Sequence, residues 1–344
     1  MQFRWIGVTV LAFALSVQPL SAQDMAAPRQ PPQPASGPGG SEATSHTVLR
    51  VKIGDGGEGG WLFLPGDPTP KSAPVVIFCH GWSAMQPRAY QAWIDHLVKR
   101  GNIVLWPNYQ ANLRTPTRMF LPNALAAVKS GLEILGTNPD GIHADLGRMA
   151  VAGHSAGGMV AAGIAAEAAA AGLPKMQAVM PVEPGDSRRG GIASVPLADM
   201  AQMPADTLLL VLVGEQDTSV GTFDAERILH ETTAVPDSRK ALLMLHSDDH
   251  GVPALVANHF TPTAIVLPNG SYNTQPLRQT AVTRMQDVGI VDALDYNGTW
   301  RLLDGLLDAA FANPKHAGFL FDPKLEDMGR WSDGVAITPL TRVK

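Results

Sequence analysis

Met149-Ala150-Val151-Ala152-Gly153-His154-Ser155-Ala156-Gly157-Gly158 is the stretch on which the fold turns. Its first four residues read as a buried strand. The run 155–171 that follows is dominated by Ala, the best helix former. Between them lies G-x-S-x-G, in which small residues at 153 and 157 let the backbone turn sharply from strand to helix. Such a turn projects the Ser155 hydroxyl outward and aims a helix N-terminus at whatever that hydroxyl attacks. A Gly-rich turn holding an ordinary N-capping Ser is the plainer alternative, and the strand before and helix after argue against it.

Outward from this turn the same alternation repeats. Apolar β-type runs occur at 75–79, 103–106, 148–153, 177–182, 207–213 and 241–246. Helical spacing appears in 122–135, where Leu125, Val128, Leu132 and Leu135 form one stripe behind Pro122. It returns in 297–311, with Trp300, Leu303, Leu307 and Phe311 aligned. Short, fully apolar strands alternating with helices imply an α/β architecture: a mostly parallel sheet of about eight strands, covered by helices on both faces. Two further short strands, Thr47 to Ile53 and Trp61 to Leu64, fit an antiparallel edge. Residues 251–290 read as loop or cap, 297–312 as a C-terminal helix, and the tail holds a turn at Trp331-Ser332-Asp333-Gly334.

Arg4, the apolar stretch Trp5 to Val17 and Pro19-Leu20-Ser21-Ala22 have the layout of a secretory signal peptide, expected over 1–22. The apolar run is short for a membrane span, so export without a stable membrane anchor is expected, to the periplasm or the medium. Residues 23–45, with five prolines among Gly, Ser, Ala and Gln, read as a disordered linker. The catalytic domain is then 46–344. The whole chain's 45 % hydrophobic content is ample for a large core, and its formal net charge of −5 without basic clusters points away from nucleic acid. Cys79 is the sole cysteine, so no intrachain disulfide forms. At the end of an apolar strand it reads as a buried, inert thiol.

A serine nucleophile needs a base and a group that orients it. Strand 207–213 runs into Gly214-Glu215-Gln216-Asp217, and strand 241–246 into Asp248-Asp249-His250-Gly251. Both carboxyl ends fall on the sheet edge that carries Ser155. Ser155, Asp217 and His250 are therefore the expected nucleophile, acid and base. Glu183, after the neighbouring strand, is the main alternative acid, with Glu215, Asp248 and Asp249 also open. His246 reads as a core residue within its strand, and His154, His230 and His259 have no acid-bearing context. Oxyanion donors are expected from the N–H of Ala156 and of Trp82, in the loop His80-Gly81-Trp82-Ser83. Trp82, Tyr109 and Glu183 are the expected pocket walls. No H-E-x-x-H spacing is present, no P-loop or G-x-G-x-x-G string opens a helix, and the glycine-rich turn Gly56 to Gly60 lacks the following helix that a phosphate cradle needs, so neither metal nor cofactor is inferred.

With His80-Gly81-Trp82, Gly153-His154-Ser155-Ala156-Gly157-Gly158, Gly214-Glu215-Gln216-Asp217 and Asp249-His250-Gly251 in hand, the chain resembles the alpha/beta-hydrolase superfamily over about residues 60–260. In style it is similar to dienelactone-hydrolase-like and cutinase- or polyester-hydrolase-like esterases. The resemblance implies the alpha/beta-hydrolase fold and cleavage of a carboxylic ester, small or polymeric, through an acyl-enzyme on Ser155. The same three residues would also serve an amidase, a peptidase or an acyltransferase, and a catalytically silent binding protein can share the fold.

Overall fold

The computed structural model describes residues 27–137, 141–188, 194–274, 289–312 and 316–343. The segment expected as a signal peptide lies outside them. Nine strands form one sheet in the order β1-β2-β4-β3-β5-β6-β7-β8-β9. They are β1 (Thr47–Lys52), β2 (Gly60–Gly66), β3 (Ser72–Cys79), β4 (Ile103–Pro107), β5 (His143–His154), β6 (Ala178–Val182), β7 (Leu208–Gly214), β8 (Lys240–Leu245) and β9 (Thr341–Arg342). Strands β3 to β8 run parallel. The antiparallel pairs are β1 with β2, β2 with β4, and β8 with β9. This is the mostly parallel α/β sheet that the alternation of apolar strands and helices implies, and it agrees with the alpha/beta-hydrolase fold that the resemblance implies.

The helices are α1 (Gln91–Lys99), α2 (Phe120–Gly136), α3 (Ala156–Glu167), α4 (Phe223–Glu231) and α5 (Trp300–Phe311). Alternation along each central strand explains why both sheet faces need cover. On β3, Val76 and Phe78 join a core with Trp93 and Leu97 of α1 and Trp300, Leu303 and Leu307 of α5. Val75, Ile77 and Cys79 point the other way, into a core with Val128 of α2, Met159 and Ile164 of α3, and Ile228 of α4. Helix α3 is buried around almost its whole circumference, which its Ala and Gly residues permit by letting neighbours approach closely. No helix among the described residues is long and apolar enough to cross a membrane.

Two segments depart from expectation. Residues 27–45 are not a free linker, because their backbone polar groups have found partners on the body. Arg29 N donates to Ser332 Oγ at 3.0 Å and Ser332 N to Arg29 O at 2.9 Å. Tyr296 Oη donates to Pro31 O, and Gly39 N donates to the buried Asp304 carboxylate at 2.7 Å. Proline supplies an extended, low-entropy strap here rather than disorder. The tail after Pro314 is likewise docked: its last residues form β9, whose register sets Met244 opposite Thr341. The helix expected at 297–312 is α5, entered through one wide turn, Asp295–Thr299, that bonds five residues apart.

The sheet order reverses direction at β3 and β5: β4 lies outside β3 on one side, and β6 outside β5 on the other. Loops leaving the carboxyl ends of these two strands diverge and open a crevice between them, where such sheets place their sites.

Candidate active site

Ser155 occupies the sharp bend between β5 and α3 with φ +57° and ψ −124°, a conformation costly for a residue with a Cβ. The bend is possible only because its flanks lack side chains. A Cβ on Gly153 would collide with the Gly157 carbonyl, and one on Gly157 with the carbonyls of Cys79 and His80. The strained backbone is secured by the neighbouring strand β6 and by the first turn of α3. Ser155 N donates to Val182 O at 3.0 Å, and Gly158 N donates to Ser155 O at 2.8 Å.

Oγ of Ser155 lies 3.0 Å from Nε2 of His259, and Nδ1 of His259 lies 2.8 Å from Oδ2 of Asp217. All three residues are buried, with at most 9 % of each exposed. Asp217 is itself held: its Oδ1 accepts from Ser219 N at 2.8 Å and Val220 N at 3.1 Å, which turns Oδ2 toward the imidazole. The expected nucleophile and acid are thus brought together, but with a different histidine.

His250 is the correction. It sits on an exposed loop, its Nε2 2.7 Å from Oδ2 of Asp333, with its ring beside Trp331. The reason is the path of the chain after β8. Asp248 pairs antiparallel with Leu255, so the chain runs outward through His250, reverses, and returns through Ala257 to His259. On the return limb Gln216 N donates to Ala257 O at 2.8 Å, fastening the loop to the end of β7 two residues before His259. Sequence order allowed any histidine after β8. The length of the outward excursion, which no local pattern encodes, chose between 250 and 259. His246 also differs from expectation, lying just beyond β8 with Nε2 2.8 Å from Thr341 Oγ1.

A cavity of about 510 Å³ opens onto Ser155, with Trp82, Val195, Val220 and Phe260 among its apolar walls. A slightly larger hollow of about 560 Å³ lies between Thr44, Arg100 and Asp308, away from Ser155. Of the expected pocket walls, Trp82 lines the Ser155 cavity and Tyr109 and Glu183 do not. Tyr109 is fully buried, stacked on His80 at 4.1 Å between ring centroids, with its hydroxyl donating to His80 O. It braces the loop from behind. Within that loop Gly81 N donates to Tyr90 Oη, Ser83 N to Gln110 Oε1 and Ala84 N to Gly81 O. Trp82 N–H has no acceptor among the described residues. Ala156 opens α3, so its N–H has none one turn back.

Behind the Ser155–His259–Asp217 line is a second polar group. Glu183 is fully buried, with φ +47°, and its Oε2 lies 3.3 Å from His154 Nε2 and 3.7 Å from His259 Nδ1. Burial raises the Glu183 carboxyl well above its ordinary range, and the Asp217 charge adds to this. Burial, then the neighbouring His259, lowers His154 well below the ordinary imidazole range. Each is driven toward its neutral form, so their contact is a polar pair rather than an ion pair. His154, Glu183 and His259 are also the group among the described residues whose ligand atoms converge closely enough for a metal ion. Both His259 nitrogens are already engaged, so an ion there would compete with the Ser155 and Asp217 contacts.

Residues 66–200 match the family model described as Chlorophyllase. The matched stretch contains the 80–83 loop and Ser155, and ends before Asp217 and His259. No curated protein matches the chain. Together, the nine-stranded sheet and this match support an alpha/beta-hydrolase fold and point to a hydrolase of esters.

Proposed function

We propose that this chain is a serine hydrolase of carboxylic esters, with Ser155 as nucleophile, His259 as general base and Asp217 as the carboxylate that orients it. The observation carrying this reading is the continuous contact line, 3.0 Å from Oγ to Nε2 and 2.8 Å from Nδ1 to Oδ2. A serine hydroxyl is barely ionised at neutral pH, so attack requires a base in contact with it. His259 Nε2 takes the Oγ proton as Oγ bonds to the ester carbonyl carbon, and the carbonyl oxygen becomes an oxyanion. Asp217 keeps the proton of His259 on Nδ1 and stabilises the imidazolium that forms.

The N–H groups of Ala156 and Trp82 serve as oxyanion donors in this reading. One is at a helix start and the other on a braced loop, so both are in place before charge develops. Collapse of the intermediate breaks the ester C–O bond, and the His259 imidazolium protonates the departing alcohol. Water, deprotonated by the same imidazole, then attacks the acyl group on Ser155 and releases the acid. The cavity walls at Trp82, Val195, Val220 and Phe260 favour an apolar acyl or alcohol part. Ester cleavage is preferred to amide cleavage or acyl transfer because the matched family is one of esterases.

The signal-like layout of residues 1–22 supports export as a further part of this proposal. A p-nitrophenyl ester series of increasing acyl length, with fluorophosphonate labelling of the mature protein, tests the reading. Turnover and a covalent adduct on Ser155 are expected, and both should vanish in Ser155→Ala. A wild-type protein that takes no label and hydrolyses no ester would instead be a binding protein on this fold.

A further inference from the structure

His154, Tyr90 and Glu183 have no part in the proton transfers above, yet they connect the two halves of the site. Gly81 N donates to Tyr90 Oη at 3.0 Å, and Tyr90 Oη lies 2.8 Å from His154 Nδ1. On the far side of the same ring, His154 Nε2 lies 3.3 Å from Glu183 Oε2, without hydrogen-bond alignment. Gly81 immediately precedes Trp82, whose N–H is the second oxyanion donor in the proposed reaction.

The protons along this line have one consistent arrangement. Tyr90 Oη accepts from Gly81 N, and His154 Nδ1 is its acceptor among the described residues, so the phenol proton points at Nδ1. Neutral imidazole carries a single N–H, which then sits on Nε2 and faces the Glu183 carboxyl. The opposite tautomer would leave the phenol proton without a partner in a fully enclosed place. It would also turn the Nε2 lone pair toward Oε2, a repulsive contact unless the carboxyl proton lies between them. A carboxyl group offers an acceptor oxygen whether or not it carries a proton, so the arrangement does not depend on the charge of Glu183.

Glu183 is costly to place here. It is fully buried, holds a positive φ, and neither of its oxygens has a hydrogen-bond partner among the described residues. Its backbone is pinned, with Glu183 N donating to Leu212 O at 2.7 Å. Room for Oε1 exists because residue 214 has no side chain; a Cβ on Gly214 would lie 2.6 Å from that oxygen. A buried carboxyl serving only as packing would be better replaced by a leucine.

We propose that Glu183 is a positioning residue for the oxyanion loop: it selects the His154 tautomer that makes Tyr90 a donor to the ring and an acceptor for Gly81 N–H. That contact fixes the peptide orientation at Gly81 and hence where the Trp82 N–H points. The inference rests on the ester-hydrolase reading.

The test uses the full mature protein and the variants Glu183→Leu, Glu183→Gln, Tyr90→Phe and the double Glu183→Leu/Tyr90→Phe. Circular dichroism and thermal melting establish that each is folded. Complete loss of one oxyanion donor costs about 10²- to 10³-fold in kcat, so its misorientation should cost about 10- to 100-fold. Glu183→Leu and Tyr90→Phe should each lower kcat by that factor with KM changed by less than about threefold. The double variant should be no worse than the poorer single, because both break one line.

Glu183→Gln keeps an acceptor oxygen and should recover most of the rate. A trifluoromethyl ketone, whose adduct on Ser155 is an oxyanion, should bind Glu183→Leu more weakly in proportion to kcat, while the matched methyl ketone should not. Wild-type kcat in folded Tyr90→Phe or Glu183→Leu, additive losses in the double variant, or Gln as damaging as Leu would each overturn the proposal. If Glu183→Leu does not fold, Tyr90→Phe and Glu183→Gln decide on the same criteria. An active wild type with unaffected variants removes only this positioning role, whereas a wild type with neither turnover nor label removes the ester-hydrolase reading itself.

Discussion

Two histidines separated by nine positions make opposite predictions, which allows the assignment of the base to be tested sharply. His259→Asn should abolish most turnover, and His250→Asn should not. In the structure, Ser155 Oγ has one side-chain partner among the described residues, His259 Nε2 at 3.0 Å. Removing it leaves the hydroxyl with no proton acceptor and strands the Asp217 carboxylate in a buried pocket. Losing the base of such a unit should lower kcat by about 10⁴-fold or more. At 1.36 kcal/mol per tenfold, that is about 5.5 kcal/mol of lost transition-state stabilisation.

His250 by contrast makes an exposed contact with Asp333, and its removal should leave kcat and KM within about twofold of wild type. The assay is steady-state hydrolysis of a short p-nitrophenyl ester, with the burst of nitrophenol counting competent sites. Substantial activity in folded His259→Asn, or its loss in His250→Asn, would refute the assignment whatever the distances.

Gly157→Ala should be both less stable, by about 1–3 kcal/mol in chemical denaturation, and inactive, because the new methyl meets the carbonyls of Cys79 and His80 beneath the nucleophile. A stable, active variant would show that the turn is looser than described. His80 is driven by burial to about 4, below its ordinary 6.5. The unfolded chain therefore binds the proton first, so the stability from neutral His80 is complete above pH 6.5 and is lost as pH falls toward 4. The melting temperature should fall more steeply over that interval in wild type than in His80→Gln, and parallel curves would contradict this. Deleting residues 23–45 removes the Gly39 N–H donor to the buried Asp304 carboxylate, a charged hydrogen bond worth about 1.5–3 kcal/mol, so melting should drop by several degrees. An unchanged melting temperature would mean that this segment is a passive strap.

The strand–turn–helix at 149–158 was legible because its requirements are local. Gly153 and Gly157 are demanded by backbone atoms within four residues or on the adjoining strand, and the apolar runs around them report a sheet buried on both faces. Ser155 and Asp217 follow from the same logic, each standing at the carboxyl end of its own strand. Pairing at long range was not legible. His250 and His259 are equivalent in order along the chain, and only the Asp248–Leu255 pairing, which folds the intervening residues into an outward loop, delivers one ring to Oγ and the other to the surface.

Tyr109 and Glu183 illustrate the same boundary. Each follows a strand on the correct edge of the sheet, yet a positive φ at both positions turns the side chain inward, behind the cavity instead of into it. Residues 27–45 had the composition of a free linker and found hydrogen-bond partners 265 to 303 positions away. Local sequence thus determined which segments become strands and helices and where Ser155 and Asp217 stand. Three-dimensional packing alone decided which imidazole meets the hydroxyl, because the cost and direction of a loop depend on the surfaces it crosses.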